Sequence, residues 1–230
     1  MRLKTHIILV LLLVTLFPLM AQDNDDRELT VEERYLQDPE IMVLWEQALA
    51  SDRQSKLNAL ETMEEMVEEG RGSEELENIL IHLGLEGSSI RKLEGRSLVN
   101  NFPEVRKRAC ALLGKVGTEK VVQTLISILT YDDEPMVKAE AAYALGLIGK
   151  DENGNVVNAM AWAIEREGTI NPDNNFAYAI ALSLEKIAEA NKGLTNAAGY
   201  RALIRIAQGN YLQTVREKAL EIIKSMKKYN

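Results

Sequence analysis

Cysteine and histidine are almost absent from this 230-residue chain, and their scarcity excludes several kinds of site. The sequence has one cysteine, Cys110, and two histidines, His6 and His82. A single cysteine cannot form an internal disulfide, and this set cannot supply a zinc site of the Cys/His kind. Phenylalanine is also scarce, with three in the chain, so the core is expected to be aliphatic. No metal and no cofactor are therefore predicted.

Positive charge is also in short supply, since the formal net charge is −8. Binding to nucleic acid needs concentrated positive charge, so a nucleic-acid partner is not expected. Basic residues cluster only between residues 91 and 108. They are Arg91, Lys92, Arg96, Arg106, Lys107 and Arg108. We interpret this cluster as the solvated faces of two helices, with an anion or headgroup site as the alternative.

The first 21 residues have the pattern of a secretory signal peptide. Arg2 and Lys4 precede an apolar run that extends to Met20, and an acidic segment follows Ala21. The run is shorter than the roughly 20 apolar residues that span a bilayer, so a retained anchor is the less favoured alternative. We expect cleavage after Ala21, no stable membrane insertion afterwards, and an exported protein that is periplasmic or secreted.

Residues 22–40 are acidic and poorly periodic, which predicts a solvated leader. From residue 41 to 230, apolar residues recur at spacings of three and four and no segment alternates with period two. The sequence therefore predicts an all-α domain over residues 41–230.

One helical pattern recurs along this domain. The stripe Val137, Ala141, Ala144, Leu145 reappears 32 residues earlier as Val105, Ala109, Leu112, Leu113, and again 39 and 78 residues later. A weaker copy begins near Ser55. Between the copies lies a second family of helices, so each unit is a helical hairpin. A hairpin cannot bury its apolar stripe alone, and about five stacked hairpins would form an α-solenoid.

Two copies, "VRKRACALLGKVG" from Val105 and "VKAEAAYALGLIG" from Val137, resemble the short HEAT repeat that is also found in phycobilin lyases. A TPR array has a similar period and is the alternative architecture. The resemblance implies that glycines end the first helices and that the second helices line a concave binding face. It also implies that Arg106 and Lys138 pair with acids of a neighbouring unit. We expect these pairs to be partly exposed and to contribute about 1 kcal/mol or less each.

Subtracting the core stripe from the second helices leaves a candidate partner-binding surface. Its residues are Gln123, Asn158, Trp162, Tyr200, Arg201 and Arg205. Tryptophan, tyrosine and arginine dominate interface hot spots. The alternative for Trp162 is that it packs between neighbouring units.

The remaining reactive residues have structural interpretations. Cys110 aligns with alanines and is expected to be a packed core residue, and His82 is expected to be a structural histidine. The acidic run Glu61, Glu64, Glu65, Glu68, Glu69 is interpreted as a solvated face, and "DENGN" from Asp151 as a turn rather than a calcium loop.

These features predict an exported, non-catalytic scaffold or adaptor that binds another protein in the cell envelope. A lyase-like chaperone or enzyme with a small-ligand pocket on the concave face is one alternative. A structural component of an envelope or motility assembly is another. The sequence also leaves self-association through the outer face of the last unit open.

Overall fold

The computed structural model describes residues 39–168, 172–194 and 196–229, which belong to one compact unit, Pro39–Asn230. The predicted signal peptide and most of the predicted leader lie outside the described residues. The described residues contain ten α-helices: α1 Pro39–Leu49, α2 Arg53–Glu68, α3 Glu74–Leu85, α4 Pro103–Val116, α5 Glu119–Tyr131, α6 Pro135–Ile148, α7 Asn155–Arg166, α8 Asn174–Asn191, α9 Ala197–Gln208 and α10 Gln213–Ser225. A short 3₁₀ helix, Met226–Tyr229, follows α10. Among the described residues, no helix is both long enough and apolar enough to span a bilayer.

The helix boundaries follow from local side-chain chemistry. Ser73, Thr118 and Asp173 each precede a helix and accept a hydrogen bond from the backbone N–H three residues later, which satisfies one of the free donors at the helix start. Gly117 and Gly149 end α4 and α6 with φ of 66° and 69°. This left-handed conformation favours glycine and permits the tight turn into the next helix, as the repeat pattern predicts.

The helices pack in two rows. Helices α2, α4, α6, α8 and α10 contact one another in chain order, and α1, α3, α5, α7 and α9 form a second row in the same way. This arrangement confirms the predicted all-α solenoid. Within the described residues there are four complete hairpins, from α2–α3 to α8–α9. Helix α1 precedes them in the second row, and α10 follows them in the first row.

The predicted apolar stripe forms the core between the rows. Val105, Ala109 and Leu113 on α4 are buried, as are Val137 and Leu145 at the equivalent positions on α6. Burying each such leucine or valine side chain contributes about 1.5–3 kcal/mol relative to leaving it in water. The repeat therefore stabilises the array by placing the same small set of aliphatic side chains at every junction.

Glycines inside the first helices allow their backbones to approach closely. A Cβ added to Gly146 would lie 2.7 Å from the Cα of Ser183 on α8. A Cβ added to Gly114 would lie 2.9 Å from the Cβ of Ala144 on α6. These glycines set the spacing of the first row.

Residues 86–101 are the exception to the predicted all-α domain, although no period-two alternation marks them in the sequence. Strands β1 Leu93–Glu94 and β2 Ser97–Leu98 form an antiparallel hairpin there. Gly95, with φ of 64°, begins its two-residue turn, which suits the twist of a tight hairpin. Buried Asn100 holds the base, because its amide donates to the Ile90 carbonyl at 2.9 Å and accepts from the Lys92 N–H at 2.8 Å.

Candidate functional site

The six predicted partner-binding residues lie on second helices α5, α7 and α9. Five are exposed, namely Gln123, Asn158, Trp162, Arg201 and Arg205, whereas Tyr200 is half-buried against the core. Gln123 donates to Glu119 one turn earlier, at 2.9 Å. The six residues therefore share one row of the solenoid, but they do not form one pocket.

Trp162 lies at the surface near the end of α7. Its side chain is 38% exposed, so it is not enclosed between units. The guanidinium carbon of Arg166, one turn later, lies 4.5 Å from the centre of the indole ring, which is a cation–π contact. The pair presents a flat aromatic ring and a cation at one position.

Trp162 and Arg166 form one wall of a groove of about 430 Å³. The groove lies along the edge of the solenoid where second helices end and first helices begin. It is lined by the ends of α5 and α7 and by Lys138 of α6. The lining residues are Leu129, Thr130, Tyr131, Asp132, Asp133, Lys138, Trp162, Ala163, Arg166 and Glu167. Tyr131, which also lines the groove, is 70% exposed.

A second groove of about 260 Å³ shares Glu167 with the first and continues toward the end of α9. Arg205 lines it and donates to the backbone carbonyl of Glu165 at 3.3 Å. The structure thus brings two of the predicted residues, Trp162 and Arg205, to this edge. Gln123, Asn158, Tyr200 and Arg201 line neither groove.

The grooves lie beside a recurrent pair of charges. The fourth residue of a first helix is basic in α2, α4 and α6, and the residue just after the paired second helix is acidic. The pairs are Lys56 with Glu86, Arg106 with Asp132, and Lys138 with Glu167. Sequence reasoning identified Arg106 and Lys138 but not their partners, although the acid directly after each second helix gives a readable signal.

In the first two hairpins these charges are in contact and buried. Arg106 binds both carboxylate oxygens of Asp132, at 2.7 and 3.2 Å, and both side chains are almost fully buried. The ammonium of Lys56 lies 2.8 Å from a carboxylate oxygen of Glu86 and forms an ion pair with it, although the geometry is not that of a hydrogen bond. Lys56 also donates a hydrogen bond to the Ala48 carbonyl. The expectation of a partly exposed pair with a neighbouring unit is therefore wrong for Arg106, because Asp132 belongs to the same hairpin and α4 and the end of α5 enclose both groups.

In the third hairpin the pair is open. The expectation that Lys138 pairs with an acid is wrong, because it makes no ion pair with any described residue. Its ammonium lies 5.2 Å from the centre of the Phe176 ring. Glu167 instead accepts hydrogen bonds from the Tyr211 hydroxyl and, at 2.7 Å, from the Asp173 N–H. Burial raises the pKa of Glu167, while these two hydrogen bonds oppose the rise. The groove occupies the place where the pair would otherwise close.

The basic cluster at residues 91–108 is divided among different surroundings, so its interpretation as two helix faces is wrong. Arg91, Lys92 and Arg96 lie exposed on the β-hairpin segment. Arg106 is buried with Asp132, and Arg108 lies 3.3 Å from Glu64 on α2. The cluster therefore does not form a single anion site.

Cys110 and His82 occupy structural positions. Cys110 is fully buried, and burial raises the pKa of its thiol well above the usual range, so the reactive thiolate is disfavoured. His82 packs edge to face against Trp45, with ring centroids 5.9 Å apart, and burial lowers its pKa. Both residues contribute to packing.

Several of the acidic residues singled out in the sequence make structural contacts. Glu64 and Glu68 pair with Lys115 across the α2–α4 contact, and Glu69 pairs with Arg71. Asp151 accepts a hydrogen bond from the Val156 N–H at 2.8 Å, which supports a turn at the start of α7. Across the described ranges, no group of three or more histidine, cysteine, aspartate or glutamate side chains could hold a metal ion.

The fold and its repeated hairpins define the class of this protein as an all-α solenoid. Residues 96–163, which include α4, α5, α6 and most of α7, match the family model of HEAT repeats. The match falls on the stretch that carries both strong sequence copies, and it supports the HEAT-repeat family over a TPR array. A search among curated proteins found no match to the chain.

Proposed function

We propose that this protein is a non-catalytic scaffold or adaptor that binds another protein through the edge of its second-helix row. HEAT repeats are commonly protein-interaction scaffolds, and such arrays bind through extended surfaces. The observation that supports the proposal most directly is the exposed Trp162–Arg166 pair at the wall of the groove. Tryptophan and arginine are the residues that most often supply binding energy at protein interfaces.

The proposal places this activity outside the cytoplasm. Its basis is the N-terminal sequence, in which Arg2 and Lys4 precede an apolar run that ends before an acidic segment. The expected site of action is the periplasm or cell envelope, or the extracellular space. N-terminal sequencing of the protein recovered from outside the cytoplasm tests this part, with Gln22 expected as the first residue.

Capture from an envelope extract tests the binding function. The immobilised chain, its Trp162→Ala variant and its Tyr178→Ala variant are compared, and the retained proteins are measured by mass spectrometry. Tyr178 is the matched control, because it is an aromatic residue of similar exposure, at 40% against 38% for Trp162, on a first helix. We expect the wild type and the Tyr178→Ala variant to retain the same protein and the Trp162→Ala variant to lose it.

Thermal unfolding of the same variants separates binding from stability. An unchanged melting temperature with lost capture supports a binding role for Trp162. A lowered melting temperature would show that Trp162 stabilises the array instead. Recovery of a small ligand with no protein would contradict the scaffold and favour the lyase-like alternative.

A further inference from the structure

The two ends of the helical array are incomplete in complementary ways. Among the described residues, the first end, α1 and α2, begins with a second-row helix that has no first-row partner before it. The last end, α9 and α10, finishes with a first-row helix that has no second-row partner after it. Since each complete hairpin is a first helix followed by a second helix, α10 of one copy and α1 of another would make up one further hairpin.

Val43 shows that the first end is open. Counted back from the end of each second helix, it occupies the position of Ile79, Leu125 and Met160, and all three of these are fully buried. Val43 itself is 50% exposed. Helix α1 therefore presents part of a core surface to solvent.

Leu220 shows the same for the last end. Counted from the start of each first helix, it occupies the position of Leu60, Cys110, Ala142 and Ala181, which are fully buried, yet it is 45% exposed. The outer face of a terminal repeat is usually polar, so this exposed leucine is a departure from the rule. Leu60 shows that a contact between first helices accommodates a leucine at this position.

The two ends carry opposite charge. Residues 39–71, which include α1 and α2, have eight acidic and three basic side chains, whereas residues 196–230 have two acidic and seven basic side chains. All three basic side chains of the first end are already paired within the chain. The exposed charges without an ion pair to a described residue include Glu46, Glu61 and Glu65 at the first end, and Arg201, Lys224, Lys227 and the opposing acid Glu217 at the last end.

The positions of these charges match a contact inside the array. Where α2 meets α4, Glu64 pairs with Lys115 at 3.4 Å. Counted from the helix starts, the position of Glu64 is Lys224 in α10, and the position of Lys115 is Glu65 in α2. A contact between α10 of one copy and α2 of another would therefore repeat this ion pair with both signs reversed.

We propose that the last end of this protein binds the first end of a second copy. The contact is head to tail, so its two surfaces differ, and repeated association gives a chain of copies or a closed ring. Burial of apolar positions and opposite charges at the two ends favour it. The segment before α1 is a poorer cover for the acidic first end, because residues 22–38 have seven acidic and two basic side chains. This inference does not depend on the proposed binding of another protein.

Complementation between two variants tests the head-to-tail contact. Val43→Glu blocks the first end and Leu220→Glu blocks the last end, so each variant alone should remain monomeric. An equimolar mixture should form a dimer and no larger species, because only one competent junction is left. The mass of the purified chain is measured by light scattering from about 1 µM to about 1 mM, and the wild-type mass should rise with concentration.

Leu147→Glu is the matched control, because Leu147 is 49% exposed on α6, within the array rather than at an end. It should associate like the wild type, and the melting temperature of each variant shows whether it is folded. Charge reversal at two exposed positions gives a second test that does not place a charge at a core position. Lys224→Glu and Glu65→Lys should each weaken association about fivefold or more, and both changes in one chain should restore it.

A wild-type chain that stays monomeric at every concentration overturns the proposal, as does association that neither end variant changes. Association that is lost in Leu220→Glu but persists in Val43→Glu would show a symmetric contact between two α10 helices and would also contradict the head-to-tail contact. If the wild type does not associate and Val43→Glu lowers the melting temperature, α1 is covered within its own chain. None of these results bears on Trp162-dependent capture, which tests the scaffold function separately.

Discussion

The buried pair of Arg106 and Asp132 shows how one residue fixes the relation between several segments. Arg106 binds Asp132 at the end of α5 and also donates to the Asn101 side chain at 2.7 Å and to the Glu86 carbonyl at 3.3 Å. Asp132 in turn accepts from the Glu134 N–H at 2.9 Å, just before α6. A single guanidinium therefore connects the β-hairpin segment, α4 and the start of the next hairpin.

Removing this guanidinium should lower the free energy of unfolding. Arg106→Ala leaves the buried Asp132 carboxylate without a counter-charge, and such losses typically destabilise by about 3–5 kcal/mol. We expect a loss of that size in the free energy of unfolding, measured by urea titration. Arg53→Ala is the control, since the ion pair of Arg53 with Glu104 is about half exposed on both sides and should contribute about 1 kcal/mol or less. A loss for Arg106→Ala no larger than the control would show that the pair is not a structural link.

Sequence reasoning placed Arg106 correctly in the repeat but misjudged its burial. The repeat pattern shows that a basic residue lies near the start of α4, but its exposure depends on the residues that enclose it. Asp132 lies 26 residues away, and the segment at residues 86–101 covers the pair from a third side. Such enclosure is a property of packing, so a one-dimensional pattern cannot supply it. The absence of an ion pair at Lys138 could not be predicted for the same reason. It depends on Tyr211, which lies far away in the sequence and binds Glu167.

At the scale of the elements, close helix contacts depend on glycine. Gly146 lies on the face of α6 that meets α8, where an added Cβ would clash with the backbone of Ser183. Its counterpart Gly114 meets Ala144 in the same way on the α4–α6 contact. The glycine inside the repeat motif thus controls the spacing of first helices, whereas Gly117 and Gly149 control the turns.

Adding one methyl group at the α6–α8 contact tests this role. Gly146→Ala should raise helix propensity but force α6 and α8 apart, because 2.7 Å is far below an ordinary carbon–carbon contact. Overpacking of this kind usually costs about 1–3 kcal/mol, which thermal or urea unfolding would detect. Gly72→Ala is the control, since no atom lies within 4 Å of its added Cβ. Equal stability of the two variants would contradict a spacing role for Gly146.

Most helices could be predicted from the sequence, and the exception has a physical reason. The first helices repeat a stripe of buried aliphatic residues, so periodicity alone finds them. The segment at residues 86–101 buries little of its surface, and its two strands are only two residues long. With so short an alternation, no period-two pattern develops in the sequence. The signals that remain are Gly87 and Gly95, both with positive φ, which mark turns without identifying strands.

At the scale of the whole helical unit, stability depends on neighbours in each row. Helix α6 packs against α4 on one side and α8 on the other, whereas α10 contacts only α8 among the described first helices. One result is visible at Leu220 of α10, which is 45% exposed, although Ala142 and Ala181 at the equivalent positions are buried. In repeat arrays, stability is close to a sum of unit and nearest-neighbour contributions, so the end of the array should open first.

Hydrogen exchange can measure this gradient directly. We expect backbone amides of α10 to exchange faster than those of α6, because opening α10 breaks contacts with one row neighbour rather than two. Two matched variants sharpen the test, since Ile222 on α10 and Ile180 on α8 are both fully buried. Ile222→Ala should accelerate exchange mainly in α10, whereas Ile180→Ala should accelerate it in α6, α8 and α10 together.

Uniform exchange in every helix, or equal effects of the two isoleucine variants on all helices, would contradict the nearest-neighbour description and indicate one cooperative unit.

The dependence of exchange on protein concentration tests whether copies of the chain associate. If copies associate through the outer face of α10, protection of that helix should rise with concentration, and Leu220→Glu should remove the rise while leaving α6 unchanged. Protection of α10 that is independent of concentration, together with a monomeric mass by light scattering, would instead show that the exposed Leu220 makes no contact between copies.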